Sequence, residues 1–414
     1  MNSKKIGIIS FGYGWLPCEP GPSRFYYISK YFKENGWDVT LVGGTFQHFL
    51  KEYRDMEKIR DEKYPFKIAF IEVTQYKKNV SLKRVISNKM AESGVITYLK
   101  THKFDVVYCS VPPNNIAAKV AKYCHDNSIK LIIDIEDLWP EAMRMIIKNE
   151  KLCDFVFHSF KRDAEIAYKY ADAIIGTSED YTKRATKYNH RDIEKKTVYV
   201  GCDIDIFDKG KKEYEDSIDK NEDEFWVTYA GSLGKSYDIE TIIKAAASLY
   251  KKGYKDIKFK ILGTGVKEKS LKELKEEENA INVEFVGYVP YEKMASYLSK
   301  SDVVINSFIK GAPQSIPNKI GDYLASKSLI LNTLENEVTK ELMEKYSVGV
   351  NVEPENEKAL TDTIEKLYNS KDVVKSYGEN ARKLCEEKFD RKKSYMEIIN
   401  MADTLLEENN KYPI

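Results

Sequence analysis

The chain has 414 residues, of which 42% are hydrophobic and 32% charged, and its formal net charge is +1. This is the composition of a folded globular protein, and a charge so near zero excludes a bulk electrostatic case for nucleic acid or an acidic partner. The length exceeds a single core and predicts two domains of roughly 200 residues each. The longest apolar runs, such as LIIDI (131–135) and DVVIN (302–306), are strand-sized, far short of the roughly 20 residues that span a bilayer.

MNSKKIGIISFG opens the chain as a strand rather than as a signal peptide. Short β-branched runs then alternate with amphipathic stretches, the pattern of parallel α/β sheets. The first half predicts strands at KIGIIS (5–10), DVTLVG (38–43), FKIAFIEV (66–73), DVVYCS (105–110), LIIDI (131–135), AIIGTS (173–178) and KTVYVG (196–201). The second half restarts the count at WVTYAG (226–231), FKILGTG (259–265), VEFVGY (283–288), VVINS (303–307), LILNT (329–333) and GVNV (349–352). Between the halves, DKGKKEYEDSIDKNEDE (208–224) is almost wholly polar, a composition that marks a linker. The expected organisation is an N-terminal doubly wound domain at 1–207, the linker at 208–224, and a C-terminal doubly wound domain at 225–389. A closing helix at 390–414 is expected to cross back to the first domain, with Phe389 and Tyr395 as anchors. Six scattered cysteines without CxxC spacing, and five histidines without a ligand-like pair, predict no metal site and suit a reducing cytoplasm.

In such sheets ligands sit beyond the carboxyl ends of the strands. After the first strand come Gly12, Gly14 and the Gly21-Pro22-Ser23-Arg24 turn; glycines allow close backbone approach to a ligand, although a plain strand–helix connection reads equally well. The spacing does not match the GxGxxG dinucleotide fingerprint. LIIDIEDLWPEAM groups Asp134, Glu136 and Asp137 ahead of Trp139, carboxylates placed to hold sugar hydroxyls, to act as a base, or merely to cap a turn. YAGSLGKSYDIETII joins Gly231, Ser232, Gly234 and Lys235 to a helix start, the elements a diphosphate needs. Gly263, Gly265, Gly287 and Tyr288 end the next two strands. Finally APQSIPNKIGDYLASKSLILN (312–332) brings Gln314, Ser315, Ile316, Asn318, Lys319 and Asp322 to the start of a helix. That stretch is either an anion cradle or a well-capped turn.

Taken in order, EPGPSRF, DLWPE, TSEDYTKR, GCDIDIF, YAGSLGKS, ILGTG, FVGYVPYEKM, SDVVINSF and PNKIGDYLAS make the chain resemble the retaining nucleotide-sugar glycosyltransferases of family four. The resemblance implies a GT-B fold, two Rossmann-like domains facing across a cleft, and a nucleotide-sugar donor linked to UDP or GDP. It places Asp322 where family members carry a glutamate that bonds the donor ribose, and Gln314 where they commonly carry a glutamate that touches the donor sugar. Ser232 stands in place of the usual diphosphate arginine, Lys235 stands near the usual lysine, and Lys319 supplies a second cation. The expected donor-binding set is therefore Gly21, Ser232, Gly234, Gly263, Gly265, Tyr288, Gln314, Ser315, Ile316, Asn318 and Asp322. Asp137, Lys235 and Lys319 are the expected catalytic groups, and Gly14, Arg24, Glu136 and Trp139 the expected acceptor side.

The implied reaction transfers a hexosyl or N-acetylhexosaminyl unit with retention to a hydroxyl of a glycan or lipid-linked glycan, in bacterial polysaccharide or glycoconjugate assembly. Two lysines and a helix start aimed at the leaving diphosphate do this without a metal or other cofactor. Residues 76–90 carry Lys77, Lys78, Lys83, Arg84 and Lys89 with no acid, beside Leu82, Val85, Ile86 and Met90 at helical spacing. Such a helix either turns its apolar stripe to the core or lies on an anionic membrane surface, which would make the protein cytoplasmic and peripheral at the inner face of the membrane. The rival functions are a non-catalytic GT-B partner subunit, suggested by Gln314 and the missing arginine, and a nucleotide-sugar epimerase.

Overall fold

A computed structural model of the chain describes residues 3–11, 16–19, 23–79, 81–139 and 157–411. The chain divides into two compact units, Met1–Val198 with Tyr395–Ile414, and Tyr199–Ser394.

The first unit contains β1 (Lys5–Ile9), β2 (Asp38–Gly44), β3 (Phe46–Gln47), β4 (Glu52–Tyr53), β5 (Lys67–Ile71), β6 (Val106–Val111), β7 (Lys130–Ile135), β8 (Ala173–Gly176) and β9 (Glu194–Thr197). Seven of these form one sheet in the order β5-β2-β1-β6-β7-β8-β9, every pair parallel, while β3 and β4 make a small antiparallel ribbon. The second unit contains β10 (Phe225–Ala230), β11 (Ile257–Leu262), β12 (Val283–Gly287), β13 (Val303–Asn306), β14 (Leu329–Asn332) and β15 (Gly349–Asn351). They form a parallel sheet in the order β12-β11-β10-β13-β14-β15. Both sheets are doubly wound, as the alternation of strand and helix patterns predicts. Each expected run overlaps a strand, although β9, β10 and β11 start earlier and end sooner than KTVYVG, WVTYAG and FKILGTG.

Strands buried on both faces, such as β6, β10 and β13, explain why their runs are nearly continuous in apolar residues rather than alternating. In the second unit Phe225, Val227, Tyr229, Phe259 and Ile261 face one core with the helices Ile239–Lys251 and Glu357–Tyr368. Ala230, Leu262, Val304 and Ile330 face another with Tyr291–Lys300, Lys319–Ala325 and Lys371–Leu384. The first unit repeats this plan, and Tyr395, Ile398, Ile399 and Ala402 of the final helix Arg391–Lys411 join its second face beside Ile6, Ile8 and Val39.

Two expectations are corrected. Residues 208–224 are not a free linker: the helix Ile204–Glu213 runs into them, Phe207 and Ile218 are buried, and Lys220 Nζ donates to Asp302 at 2.6 Å. A Cβ at Gly210 would lie 2.5 Å from Glu292 Cα, so the stretch packs tightly on Tyr291–Lys300. A few apolar and small residues at helical spacing decide this, and an average over composition hides them. The stripe Leu82, Val85, Ile86 and Met90 does not face the core either. All four are exposed, from 41% for Met90 to 83% for Leu82, and the helix Leu82–Thr101 buries Ser87, Ala91, Val95 and Leu99 instead. No helix among the described residues is long and apolar enough to cross a membrane.

One polar cluster lies inside the first unit. Arg24 Nε donates to Asp134 Oδ2 at 2.8 Å, and the Tyr108 hydroxyl donates to the same oxygen at 2.6 Å. Burial works against the Arg24 charge, but Asp134 together with Tyr395, Tyr108 and Glu136 more than offsets it. Burial and then the Asp134 carboxylate push Glu136 well above the usual carboxylate range, so its protonated form is favoured although Arg24 Nε is 3.1 Å away. Arg24→Ala would leave Asp134 buried without its cation and is expected to cost about 3–5 kcal/mol. A urea melt reads this directly, and an unchanged midpoint would mean that the cluster adds nothing to stability.

Candidate active site

The order of the second sheet reverses between β10 and β13, since β11 continues from β10 on one side and β13 lies on the other. A crevice outside the carboxyl ends of the strands at such a switch point is where α/β folds bind ligands. Three loops close on each other there. Gly231 N–H bonds to the Leu262 carbonyl at 3.0 Å, Leu233 N–H to Thr264 at 2.9 Å, and Gly263 N–H to Gly287 at 2.8 Å. Gly263 has φ +123°, and a Cβ on it would stand 1.9 Å from the Gly231 carbonyl oxygen. The same construction at Gly265 meets the Leu233 carbonyl at 2.4 Å. Glycine at these two positions is thus a condition of the loops meeting at all.

Lys319 reaches this point from the helix Lys319–Ala325. The helix is pinned by Tyr323, whose hydroxyl accepts from Ala230 N–H at 3.1 Å and lies 3.2 Å from the Ile305 carbonyl, at the ends of β10 and β13. Although Lys319 as a residue is half-buried, its Nζ is out of contact with solvent and has no hydrogen-bond partner. It faces the rings of Tyr229, Tyr237 and Phe308 at 4.4, 4.5 and 5.5 Å. A Cβ on Gly231 would come within 3.0 Å of the amine. Three aromatic faces stabilise the charge only in part, and burial pulls its pKa from the ordinary 10.5 down to about 7. Gln314 Oε1, on the loop that leads into the same helix, is likewise buried without a partner. One orphan donor and one orphan acceptor therefore stand on a single short segment, and buried polar groups are seldom left so.

Asp322, one helical turn on, is half-buried and turned elsewhere. Its Oδ1 accepts the Tyr291 hydroxyl at 2.6 Å. Desolvation pushes its carboxyl up to about 6, with the Tyr291 bond and Arg391 opposing. Lys235 and Ser232 are exposed on the β10 loop, and the Tyr229 hydroxyl donates to the Ser232 carbonyl at 2.8 Å. The helix expected to begin beside Lys235 starts at Ile239 and is capped by Asp238, whose Oδ1 accepts from Thr241 N–H at 3.1 Å. A carboxylate already occupies that helix start, and Lys319–Ala325 is only seven residues long. Positive charge at the site therefore rests on the lysines rather than on helix ends.

The remaining positions are more scattered. Ser315 is buried, its hydroxyl 3.4 Å from Asn336 Oδ1 and its carbonyl accepting from Thr339. Ile316 packs into the neighbouring core, while Asn318 is exposed and makes no side-chain cap bond. Tyr288 is 77% exposed. In the first unit Asp137 accepts from Leu138 N–H at 2.8 Å and from Trp139 Nε1 at 3.1 Å. Glu136 and Arg24 belong to the interior cluster with Asp134, which corrects their expected place on the acceptor side: a 2% exposed guanidinium bound to Asp134 holds the fold instead of meeting a ligand from solvent. Gly14 and Gly21 lie outside the described residues. Sequence reasoning missed the rings around Lys319 and the Tyr291 cap on Asp322, because side chains at β-strand or helix spacing carry no sign of which charge they enclose.

Folding lowers the Lys319 pKa, so between about pH 7 and 10 the unfolded chain binds a proton that the folded chain does not. Stability therefore rises with pH across that window, by up to about 1.4 kcal/mol per unit from this group. Lys319→Met should remove that slope and raise the melting temperature at pH 7. Identical pH profiles for the two proteins would show that the amine is not desolvated.

Residues 210–384 match the family model described as Glycosyl transferases group 1. Over 252 residues the chain is 24% identical to an uncharacterized glycosyltransferase of Methanocaldococcus jannaschii, a match covering 59% of this chain and 62% of that protein's length. Anabaena HepE, solved in complex with UDP, superposes with a TM-score of 0.71 at 14% identity, covering 97% of this chain and 100% of that one. Sucrose-phosphate synthase of Thermosynechococcus elongatus gives 0.72 at 15% identity, covering 98% and 100%. The chain accordingly has the GT-B fold of two Rossmann-like domains, and the segment that surrounds Lys319 and Asp322 is the one that matches the group 1 glycosyl transferases.

Proposed function

We propose that the protein is a retaining glycosyltransferase that moves a hexosyl or N-acetylhexosaminyl unit from a UDP- or GDP-linked donor to a hydroxyl of a glycan or lipid-linked glycan. The carrying observation is the buried, unpartnered Lys319 amine at the switch point of the second sheet. An ammonium with no counter-ion is stabilised by an incoming anion, and the negative charge on a nucleoside diphosphate grows as the sugar leaves. Lys319, with Lys235 at the rim, would carry that charge without a metal. Gln314 Oε1 would accept a hydroxyl of the donor sugar, and Asp322 would take the ribose through the carboxylate oxygen not held by Tyr291. HepE was solved with UDP, which favours a uridine donor here.

Retention is assigned to front-face attack, in which the departing phosphate takes the proton of the acceptor hydroxyl. This route asks the protein for charge stabilisation and exclusion of water rather than for a nucleophile. Asp137 is the group assigned to the acceptor side, oriented by the Trp139 indole.

Lys319→Ala is expected to lower turnover about 100-fold or more with a smaller change in donor affinity. Asp322→Ala is expected to weaken donor binding about tenfold. Calorimetry against UDP- and GDP-sugars, followed by turnover with a lipid-diphosphate glycan, measures both. If no nucleotide sugar binds the wild type, the reading as a non-catalytic partner subunit replaces this one.

The exposed stripe Leu82, Val85, Ile86 and Met90 beside Lys83 and Lys89 supports a peripheral place at an anionic membrane, within bacterial polysaccharide or glycoconjugate assembly. The protein should sediment with phosphatidylglycerol vesicles and not with phosphatidylcholine ones, and Leu82→Ser with Ile86→Ser should release it. Equal partitioning between the two lipids would rule this placement out.

A further inference from the structure

The helix Ile204–Glu213, which runs into the stretch that composition marks as a linker, has no task in the reading above. It reaches the helix Lys319–Ala325 by two routes. On the first, the ring of Phe207 meets Tyr291 edge-on, with centroids 6.4 Å apart and planes at 79°. Tyr291 opens the helix Tyr291–Lys300, and its hydroxyl donates to Asp322 Oδ1 at 2.6 Å. Gly210 lets the helix Ile204–Glu213 lie against Glu292, where a Cβ would come within 2.5 Å of the backbone. On the second route, Asp208 accepts from Arg382 Nη1 and Nη2 at 2.7 and 2.6 Å. Arg382 Nη1 also donates at 3.2 Å to the carbonyl of Ala325, the last residue of the helix that carries Lys319 and Asp322.

Both routes bear on the two oxygens of Asp322. Oδ1 is taken by Tyr291, while Oδ2 makes no hydrogen bond among the described residues and is not sealed from solvent. The terminal torsion of an aspartate is broad, so the Tyr291 bond decides which oxygen faces outward and at what angle. The groups around the carboxyl come from several elements. Tyr291 stands on its own helix, Arg391 opens the final helix, Cys202 precedes Ile204, and Tyr323 is the next residue along. Burial raises the Asp322 carboxyl to about 6, and the Tyr291 bond and then Arg391 oppose that rise. Burial and then Asp322 hold the Tyr291 hydroxyl well above its ordinary range, so it stays protonated and donates. The Cys385 thiol and burial keep the Cys202 thiol neutral, and burial keeps the Tyr323 hydroxyl so. Arg391 thus brings a full positive charge to the carboxyl, and Tyr291 brings the hydrogen bond.

We propose that Tyr291 is a positioning residue for donor recognition: braced by the helix Ile204–Glu213, its hydroxyl turns the open oxygen of Asp322 to the ribose of the donor. The aspartate side chain is short and one of its oxygens is engaged, so a small rotation takes the other out of reach of a diol. A hydrogen bond to an ionised carboxylate is stronger than one between neutral groups, and a phenol makes it without adding charge beside the ligand. Phe207 and the Gly210 contact fix the start of the Tyr291 helix, and the Asp208–Arg382 pair fixes the far end of the donor helix. That the ligand is a ribose rests on the transferase reading; the hold of Tyr291 on Asp322 does not.

Tyr291→Phe keeps the ring on Phe207 and removes only the hydroxyl. UDP and 2′,3′-dideoxy-UDP are titrated calorimetrically into the full-length protein; the ratio of their affinities reads the diol contact, with the diphosphate and Lys319 cancelled. Wild type is expected to prefer UDP about tenfold. Tyr291→Phe should lower that preference about threefold or more and leave the dideoxy affinity unchanged. As pH falls, the preference should also fade at a higher pH than in wild type, because the carboxyl protonates sooner. Equal weakening of both nucleotides, the mark of a merely structural role, overturns the proposal. Gly210→Ala, once a melting curve shows it folded, should lower the preference too, and an unchanged ratio there overturns the brace. A second readout needs no nucleotide. Folding raises the Asp322 pKa from 3.8 to about 6, so the folded chain keeps a proton that the unfolded chain has lost. Stability therefore falls as pH rises through that window. Tyr291→Phe should extend the fall to higher pH, and Asp322→Asn should abolish it. Coincident profiles for wild type and Tyr291→Phe overturn the hold on Asp322. Failure of UDP to bind the wild type overturns the transferase reading instead, and the stability profile still judges Tyr291.

Discussion

The amine of Lys319, taken out of water and given no counter-ion, constrains most of what surrounds it. Its three aromatic neighbours come from β10, from the loop after it and from the end of β13, so they meet only if those strand ends are held together. Tyr323 does that holding, with one hydroxyl between the Ala230 and Ile305 backbones. A Cβ at 231 would press to 3.0 Å on both the amine and the Tyr229 hydroxyl, and the side chain at 263 must be absent because its Cβ would stand 1.9 Å from the Gly231 carbonyl oxygen. A site assembled this way is rigid before any ligand arrives, and preorganised charge is the form of charge that stabilises a transition state most.

Aspartates and glutamates in both units have largely been used up by the fold. Asp134 and Glu136 share Arg24 inside the first unit, Asp238 caps a helix and receives Glu355 N–H, and Asp322 is closed over by Tyr291. The lysines at the strand ends have not been treated so. Among the described residues Lys319 Nζ lacks a hydrogen-bond partner, Lys51 donates to Asn79, and Lys235 stands in solvent. Among these groups, the acids are engaged within the fold while Lys319 and Lys235 are left without a carboxylate among the described residues. Anionic substrates are what such an edge favours, and the acidic residues that would otherwise compete for the lysines are already engaged elsewhere.

Legibility in the sequence followed the range of the forces involved. Most strands of the two sheets were readable because a strand buried on both faces needs a near-continuous β-branched run, whatever its neighbours are, whereas the edge strand β9 is polar and half-buried. The glycines at 263 and 265 were readable as strand-end positions, while the close approach that requires them was visible only in the fold. Residues 208–224 were misread, since Gly210 and Ile218 are too few to lift an average, yet with Phe207 just ahead of the stretch they dock it on the second unit. The stripe from Leu82 to Met90 kept perfect helical spacing and still faced outward, because Ser87, Ala91, Val95 and Leu99 on the opposite side packed better.

By itself, the sequence determined the two parallel sheets, the order of the strand-end loops and which of those loops carried cations. Periodicity and turn chemistry act between residues a few positions apart, and each stretch carries its own share of that information. Only the tertiary structure decided which charges were paired. Arg24 meets a carboxylate 110 positions away, whereas Lys319 meets rings from three other segments and, among the described residues, no carboxylate. Desolvation and Coulomb energy depend on distance in space, and distance in space is what a linear spacing does not contain.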